Sequence, residues 1–274
     1  MKQKDFSIWS AFDVELSPED MVLELEKRGL RLCELSDEHG DMLLKRGGDP
    51  AQIGATFRAF AAEHGVSFPQ GHLWLAVRLC DTTRDVIGIL KNWLRLFAAI
   101  GIENAVLHCD SSSFPEGTDA ETIITANAEA LKKLTPLAEG LGIRICLENL
   151  PGVFHNAAVL NRVIDLVGSP ALGICLDTGH LNISHHGTQA SFILAAGQRL
   201  HALHLADNEG ATDQHMMPFG RGNVDFRAVM YALDAVGYDG LINYEIPGER
   251  FLPMCLRKAK TDYLRAVTDY LLSL

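Results

Sequence analysis

Two glutamates, one aspartate and one histidine occupy equivalent places along this sequence. Each sits at the end of a short apolar run of β character: Glu148 after IRICL, Asp177 after LGICL, His204 in LHALH and Glu245 after LINY. Buried together, three carboxylates and an imidazole repel or go unpaired unless a cation neutralises them. An oxygen-rich set with one nitrogen suits Zn²⁺, Mn²⁺, Mg²⁺ or Co²⁺.

Five more metal-capable residues follow the same logic. His72 follows the third run and His108 ends the fourth, His180 lies three residues beyond Asp177 in DTGH, and Asp213 and His215 form a DxH pair. Together with the first four, these make nine metal-capable residues on one face. His39, His64, His185 and His186 read as core or surface histidines, and His201 as a packing residue facing away from His204. Three side chains are candidates for substrate contact. Glu34, ending CEL, offers a carboxylate to a hydroxyl, or a cap. Arg221 in FGRG meets an anionic substituent, or a surface carboxylate. Trp74 offers an aromatic wall, with Phe12 beside it and Trp9 in the core.

Positioning these residues requires eight strands. Apolar runs at Phe6–Ala11, Leu30–Leu35, Val66–Gly71, Asn104–His108, Ile143–Glu148, Leu172–Asp177, His201–Leu205 and Leu241–Ile246 alternate with helix-length segments. Most are near-continuous in Val, Ile, Leu and Cys, as parallel strands buried on both faces are. Helix starts are marked by Ser17-Pro18 and Asp49-Pro50, and helix ends by Gly29, Gly65, Gly101, Gly142 and Gly237. The spacing predicts one long helix over Asp119–Leu141 and a loop over SDEHGDMLLKRGGD. Eight β/α alternations without a linker predict a single (β/α)₈ TIM barrel over residues 1–274, an α/β fold. An open doubly wound sheet is the alternative, but polar residues at every strand end argue for closure.

The bulk properties exclude several functions. A net charge of −11 disfavours nucleic acid as a partner, and only Arg78, Arg84 and Arg250 are placed to help it. Six cysteines without a CxxC pair, most of them inside apolar runs, fit a reducing cytoplasm. No stretch approaches 18 apolar residues and MKQKDFSIWSAF has no signal-like core, so a cytoplasmic protein without a membrane partner is expected. Every Lys lies at the N-terminus, on a helix or in a flanking loop, which argues against Schiff-base chemistry. Neither GxGxxG nor a Walker A motif occurs. Oligomeric state stays open, with self-association through the outer helices as one option.

LEN at 147–149, CLDTGH at 175–180, HLAD at 204–207, DQHMMPFGRGNVDF at 213–226 and Glu245 together resemble the xylose isomerase-like barrel superfamily over nearly the whole chain. That group holds sugar isomerases, sugar 3-epimerases, inosose dehydratases and abasic-site nucleases of the endonuclease IV type. Its epimerase branch implies that Glu148, Asp177, His204 and Glu245 hold one divalent ion. Glu148 and Glu245 then double as an acid/base pair, and His180 contacts substrate. The nuclease branch implies three zinc ions, on His72/His108/Glu148, on Glu148/Asp177/His204/Glu245 and on His180/Asp213/His215. The absence of a strand-end Lys puts the hydride-shift isomerases in doubt. A metal-dependent sugar or sugar phosphate isomerase or epimerase working through an enediolate is the leading expectation. An abasic-site phosphodiesterase and an inosose-type dehydratase are the alternatives. A non-catalytic sugar-binding barrel would require a broken ligand set, and this one is intact.

Overall fold

Parallel pairing runs unbroken through eight strands in the order β7-β6-β5-β4-β3-β2-β1-β8 of a computed structural model, which describes residues 6–248 and 252–274. The strands are β1 (Phe6–Trp9), β2 (Leu32–Leu35), β3 (Ser67–His72), β4 (Asn104–His108), β5 (Arg144–Glu148), β6 (Leu172–Asp177), β7 (Leu200–His204) and β8 (Ile242–Tyr244). A bridge between Leu205 and Tyr244 joins the two sheet edges, with Leu205 N–H donating to Asn243 O at 2.9 Å and Glu245 N–H to Leu205 O at 3.2 Å. The fold is therefore a (β/α)₈ TIM barrel, nearly closed.

The helices are α1 (Pro18–Lys27), α2 (Asp37–Leu44), α3 (Pro50–Glu63), α4 (Val86–Ile100), α5 (Ala120–Leu131), α6 (Thr135–Leu141), α7 (Ala157–Val167), α8 (Thr178–Ser184), α9 (Gln189–Ala196), α10 (Phe226–Ala235) and α11 (Met254–Leu272). Side chains of Ser17, Asp49, Asp85, Asp119, Asn156 and Asp225 cap N-termini, each such cap contributing about 1 kcal/mol. No described helix is long and apolar enough to cross a membrane.

Two expectations need correction. The segment after β2 is not a loop: Ser36 caps α2 there, and Gly40 allows that helix to press on α4, since a Cβ would stand 2.3 Å from the Trp93 ring. The long fourth helix is broken between α5 and α6, because Pro136 cannot supply an N–H within a continuous helix.

Alternation along the strands sorts the barrel interior into layers. Val106, Cys146, Cys175 and Ala202 form a buried cluster of small side chains. Each lies two residues before a site residue: His108, Glu148, Asp177 or His204. In the same relation, Gln70 precedes His72 and Asn243 precedes Glu245. All of these side chains are buried except that of His108, which is partly exposed.

Candidate metal centre

Glu148 is the hub. Its Oε2 lies 3.1 Å from His108 Nε2, 3.4 Å from His72 Nε2 and 3.3 Å from His204 Nδ1, while Oε1 lies 2.9 Å from His180 Nδ1. His204 Nδ1 is also 3.2 Å from Glu245 Oε2. One atom each from Glu148, Asp177, His204 and Glu245 falls within 4.8 Å of the others. The same holds for His72, His108 and Glu148, and for His180, Asp213 and His215. All nine metal-capable residues singled out by sequence thus stand at one end of the barrel.

Local structure aims them. Asp177 caps α8 through Oδ1, which accepts from His180 N–H at 2.6 Å, so carboxylate and imidazole are fixed as one unit. Asn149 ties β5 to β6, accepting from Asp177 N–H at 2.7 Å and donating to Asp177 O at 3.0 Å. Thr178 Oγ1 links β6 to the residues after β7, donating to Ala206 O at 2.7 Å and accepting from its N–H at 3.0 Å. The long segment after β7 is pinned by Asp207, which pairs with Met216 through two backbone hydrogen bonds and accepts from Val224 N–H at 3.0 Å. That segment delivers Asp213 and His215, the latter at φ 43°, an uncommon left-handed conformation for a histidine. In return, His215 Nδ1 reaches Glu245 O at 2.8 Å and Nε2 reaches Asp213 Oδ2 at 3.0 Å. Asn149, Thr178 and Asp207 were not singled out as functional by sequence. Their signal was a polar residue within a few positions of a strand end.

Asp177 Oδ2, Glu245 Oε2, His204 Nδ1 and His72 Nε2 are buried without a hydrogen-bond partner among the described residues. Groups in that condition are rare, and four at one end of a barrel fit a divalent cation as their common partner. For His72 the far ring nitrogen is engaged, Nδ1 to Leu73 O at 2.6 Å, which turns Nε2 to the centre.

The charges are strongly coupled. Burial opposes ionisation of Glu148, but His204 and His108 charges and hydrogen bonds from His108 and His180 outweigh it, holding the carboxyl well below its ordinary range. Glu245 is likewise resisted by burial, yet His204 and His215 bring it to about 2. Burial raises Asp177 to about 7, with Glu245 adding to the rise and His180 opposing it. His72 is pushed down by burial and more strongly up by Glu148, to about 9. His215 reaches about 10 and His180 about 12, burial again being overcome by neighbouring carboxylates. His108 alone among these rings is lowered, chiefly by burial. The centre therefore concentrates negative charge that holds several imidazoles protonated, a condition that a bound cation replaces.

The other candidates lie elsewhere. Glu34 is corrected: it is fully buried in the layer beneath the centre, bonded to His204 Nε2 at 2.9 Å and to Asn243, and offers no free oxygen to a sugar. Arg221 points into solvent and pairs with Glu209 at 2.9 Å. Trp74, after β3, is partly buried with the Arg84 guanidinium 4.9 Å from its ring. Phe12 is core, and the buried indole N–H of Trp9 has no partner among the described residues. Arg78 donates to Ser112 O at 2.7 Å, and Arg250 lies outside the described residues.

A family model described as a xylose isomerase-like TIM barrel matches residues 22–271. The chain is 31% identical over 144 residues to an L-ribulose 3-epimerase of Methylomonas sp. (strain DH-1), covering 51% of this chain and 48% of that protein. It is 29% identical over 199 residues to an uncharacterised protein of Sinorhizobium fredii, covering 70% and 60%. These alignments span about half the length of the curated relatives they match. In fold, the chain superposes on a D-psicose 3-epimerase with D-tagatose from Clostridium cellulolyticum H10 with TM-score 0.80 at 16% identity, covering 98% of this chain and 99% of that one.

Proposed function

As this chain belongs to the xylose isomerase-like TIM barrel family, we propose that it is a divalent-metal-dependent epimerase or isomerase acting on a small ketose. The observation that carries this reading is the convergence of Glu148, Asp177, His204 and Glu245, with buried ligand atoms that lack hydrogen-bond partners among the described residues. A divalent cation held by these four would polarise a substrate carbonyl and stabilise the negative charge of an enediolate.

The chain's own groups do the rest. A hydrogen on carbon beside a carbonyl is too weakly acidic to leave in water unaided, so a positioned base is needed. Glu148 and Glu245 come from β5 and the end of β8 and converge on the centre from different arcs of the barrel. One takes the proton and the other returns one, which inverts the carbon when the two act on opposite faces of the substrate. His180 Nε2 meets Asp213 Oδ2 at 3.2 Å at the edge of the centre, and a substrate hydroxyl would take the place of that carboxylate on it. The names of the relatives, an L-ribulose 3-epimerase and a D-psicose 3-epimerase, support ketoses as the substrate class. Six free cysteines fit a reducing cytosol.

A second reading, a three-ion phosphodiesterase, is favoured by the clusters His72/His108/Glu148 and His180/Asp213/His215. The acidic net charge and the engaged Arg78 and Arg221 weigh against a polyanion. One comparison decides: the Mn²⁺- or Zn²⁺-loaded protein is offered ketopentoses and ketohexoses on one hand and an abasic-site oligonucleotide on the other. Epimer formation without strand cleavage is expected. Cleavage without epimer overturns the assignment.

A further inference from the structure

We infer that Glu34 is a positioning residue for the metal centre, fixing the ring and tautomer of His204 from across the barrel. This inference rests on the reading that His204 is a ligand to a divalent ion.

The two residues are 170 positions apart and lie on β2 and β7, which are not neighbours in the barrel wall. Glu34 crosses the interior, and its Oε1 meets His204 Nε2 at 2.9 Å with both side chains fully excluded from solvent. A carboxylate on Nε2 keeps a proton there, so when the ring gives up its other proton to serve as a ligand, it is Nδ1 that offers a lone pair to the other side. That other side is the centre: Nδ1 stands 3.3 Å from Glu148 and 3.2 Å from Glu245, with no hydrogen-bond partner among the described residues. The ring is therefore polarised in one direction, acceptor to the centre and donor to Glu34.

Glu34's second oxygen accepts from Asn243 Nδ2. Asn243 lies on β8 two residues before Glu245, which follows that strand directly, so the bond also indexes β8. One carboxylate thus holds the strands that carry His204 and Glu245 in register with β2, while the barrel itself closes between β7 and β8 through one bridge. A purely structural ion pair would need neither an Nδ1 turned to the centre without a hydrogen-bond partner among the described residues nor this link to a second ligand strand. Outer partners of ligand histidines set ring orientation and basicity, and their loss typically weakens metal affinity 10- to 100-fold.

The test uses Zn²⁺ and Mn²⁺ binding to the whole chain, measured by competition with a chromogenic chelator. If the unsubstituted protein binds neither ion, the proposed function fails. If it binds and Glu34→Gln binds 10- to 100-fold more weakly with unchanged circular dichroism, the inference stands; binding within threefold overturns this inference alone. Glu34→Asp, which keeps the charge but shortens the reach, is expected to restore only part of the affinity. Should the substituted chains fail to fold, ¹⁵N-correlated spectra of the zinc-loaded natural protein decide. A proton on His204 Nε2 is expected, and one on Nδ1 overturns the inference.

Discussion

Glu148 and Glu245 reach the same nitrogen: His204 Nδ1 lies 3.3 Å from one carboxylate and 3.2 Å from the other. Two carboxylates sharing one imidazole repel each other unless positive charge stands between them. The shared position is what a proton-shuttling pair around a bound ketose needs. Glu148→Gln is expected to lower kcat by about 10² to 10⁴, the usual contribution of a positioned acid or base. Ketose turnover assayed beside a metal determination on the same preparation checks it.

Metal binding should tighten as pH rises. Burial opposes the charge on His204, yet Glu245, Glu34 and Glu148 hold it well above the ordinary histidine value, and Asp177 is raised to about 7 by burial. Each must lose a proton to serve as a ligand, so affinity should grow about tenfold per pH unit for each proton displaced. Isothermal titration with Mn²⁺ at pH 6, 7 and 8 reads this directly, and an affinity independent of pH would contradict it.

Without metal, stability should show the opposite trend. His72 rises from an ordinary 6.5 to about 9 and His215 to about 10. Groups with raised folded values stabilise fully below pH 6.5 and lose that contribution as pH passes 9 to 10. Asp177, raised to about 7, acts in the same sense between pH 4 and 7. Melting in the presence of a chelator is therefore expected to fall between pH 6.5 and 9, and added Zn²⁺ to abolish the fall.

Asn149 should matter for stability as well as activity. It makes two buried hydrogen bonds to the backbone of Asp177, and alanine would leave both backbone groups unsatisfied. A loss of roughly 2 to 3 kcal/mol follows, or about 3 to 5 °C in Tm for a chain of this size. Differential scanning calorimetry of Asn149→Ala tests the value.

The strands were legible because burial on both faces writes them as apolar runs. Asn104–His108 and Leu172–Asp177 match to the residue, and the others shift by one or two at one end or both. Short helices were less legible. Gly40 and Gly179 weaken helical propensity in α2 and α8, yet tight packing requires little side chain there: a Cβ on Gly179 would stand 3.0 Å from Asn208 Nδ2. The convergence of the metal-capable residues followed from their common place at strand ends. Glu34 misled because a strand-end position in sequence does not reveal the layer. Alternation puts Ser36, and not Glu34, at the level of the ligands on β2, and the partners that claim Glu34 come from strands far away in the chain.

Hydrogen exchange with solvent at substrate carbon addresses the central claim most directly. The metal-loaded protein is incubated with a ketose in D₂O, and the product is read by mass spectrometry and NMR. Deuterium should appear on the carbon beside the carbonyl of both epimers and vanish with Glu148→Gln. Conversion without any deuterium, or metal-loaded protein inert on every ketopentose and ketohexose, would contradict a proton shuttle between Glu148 and Glu245.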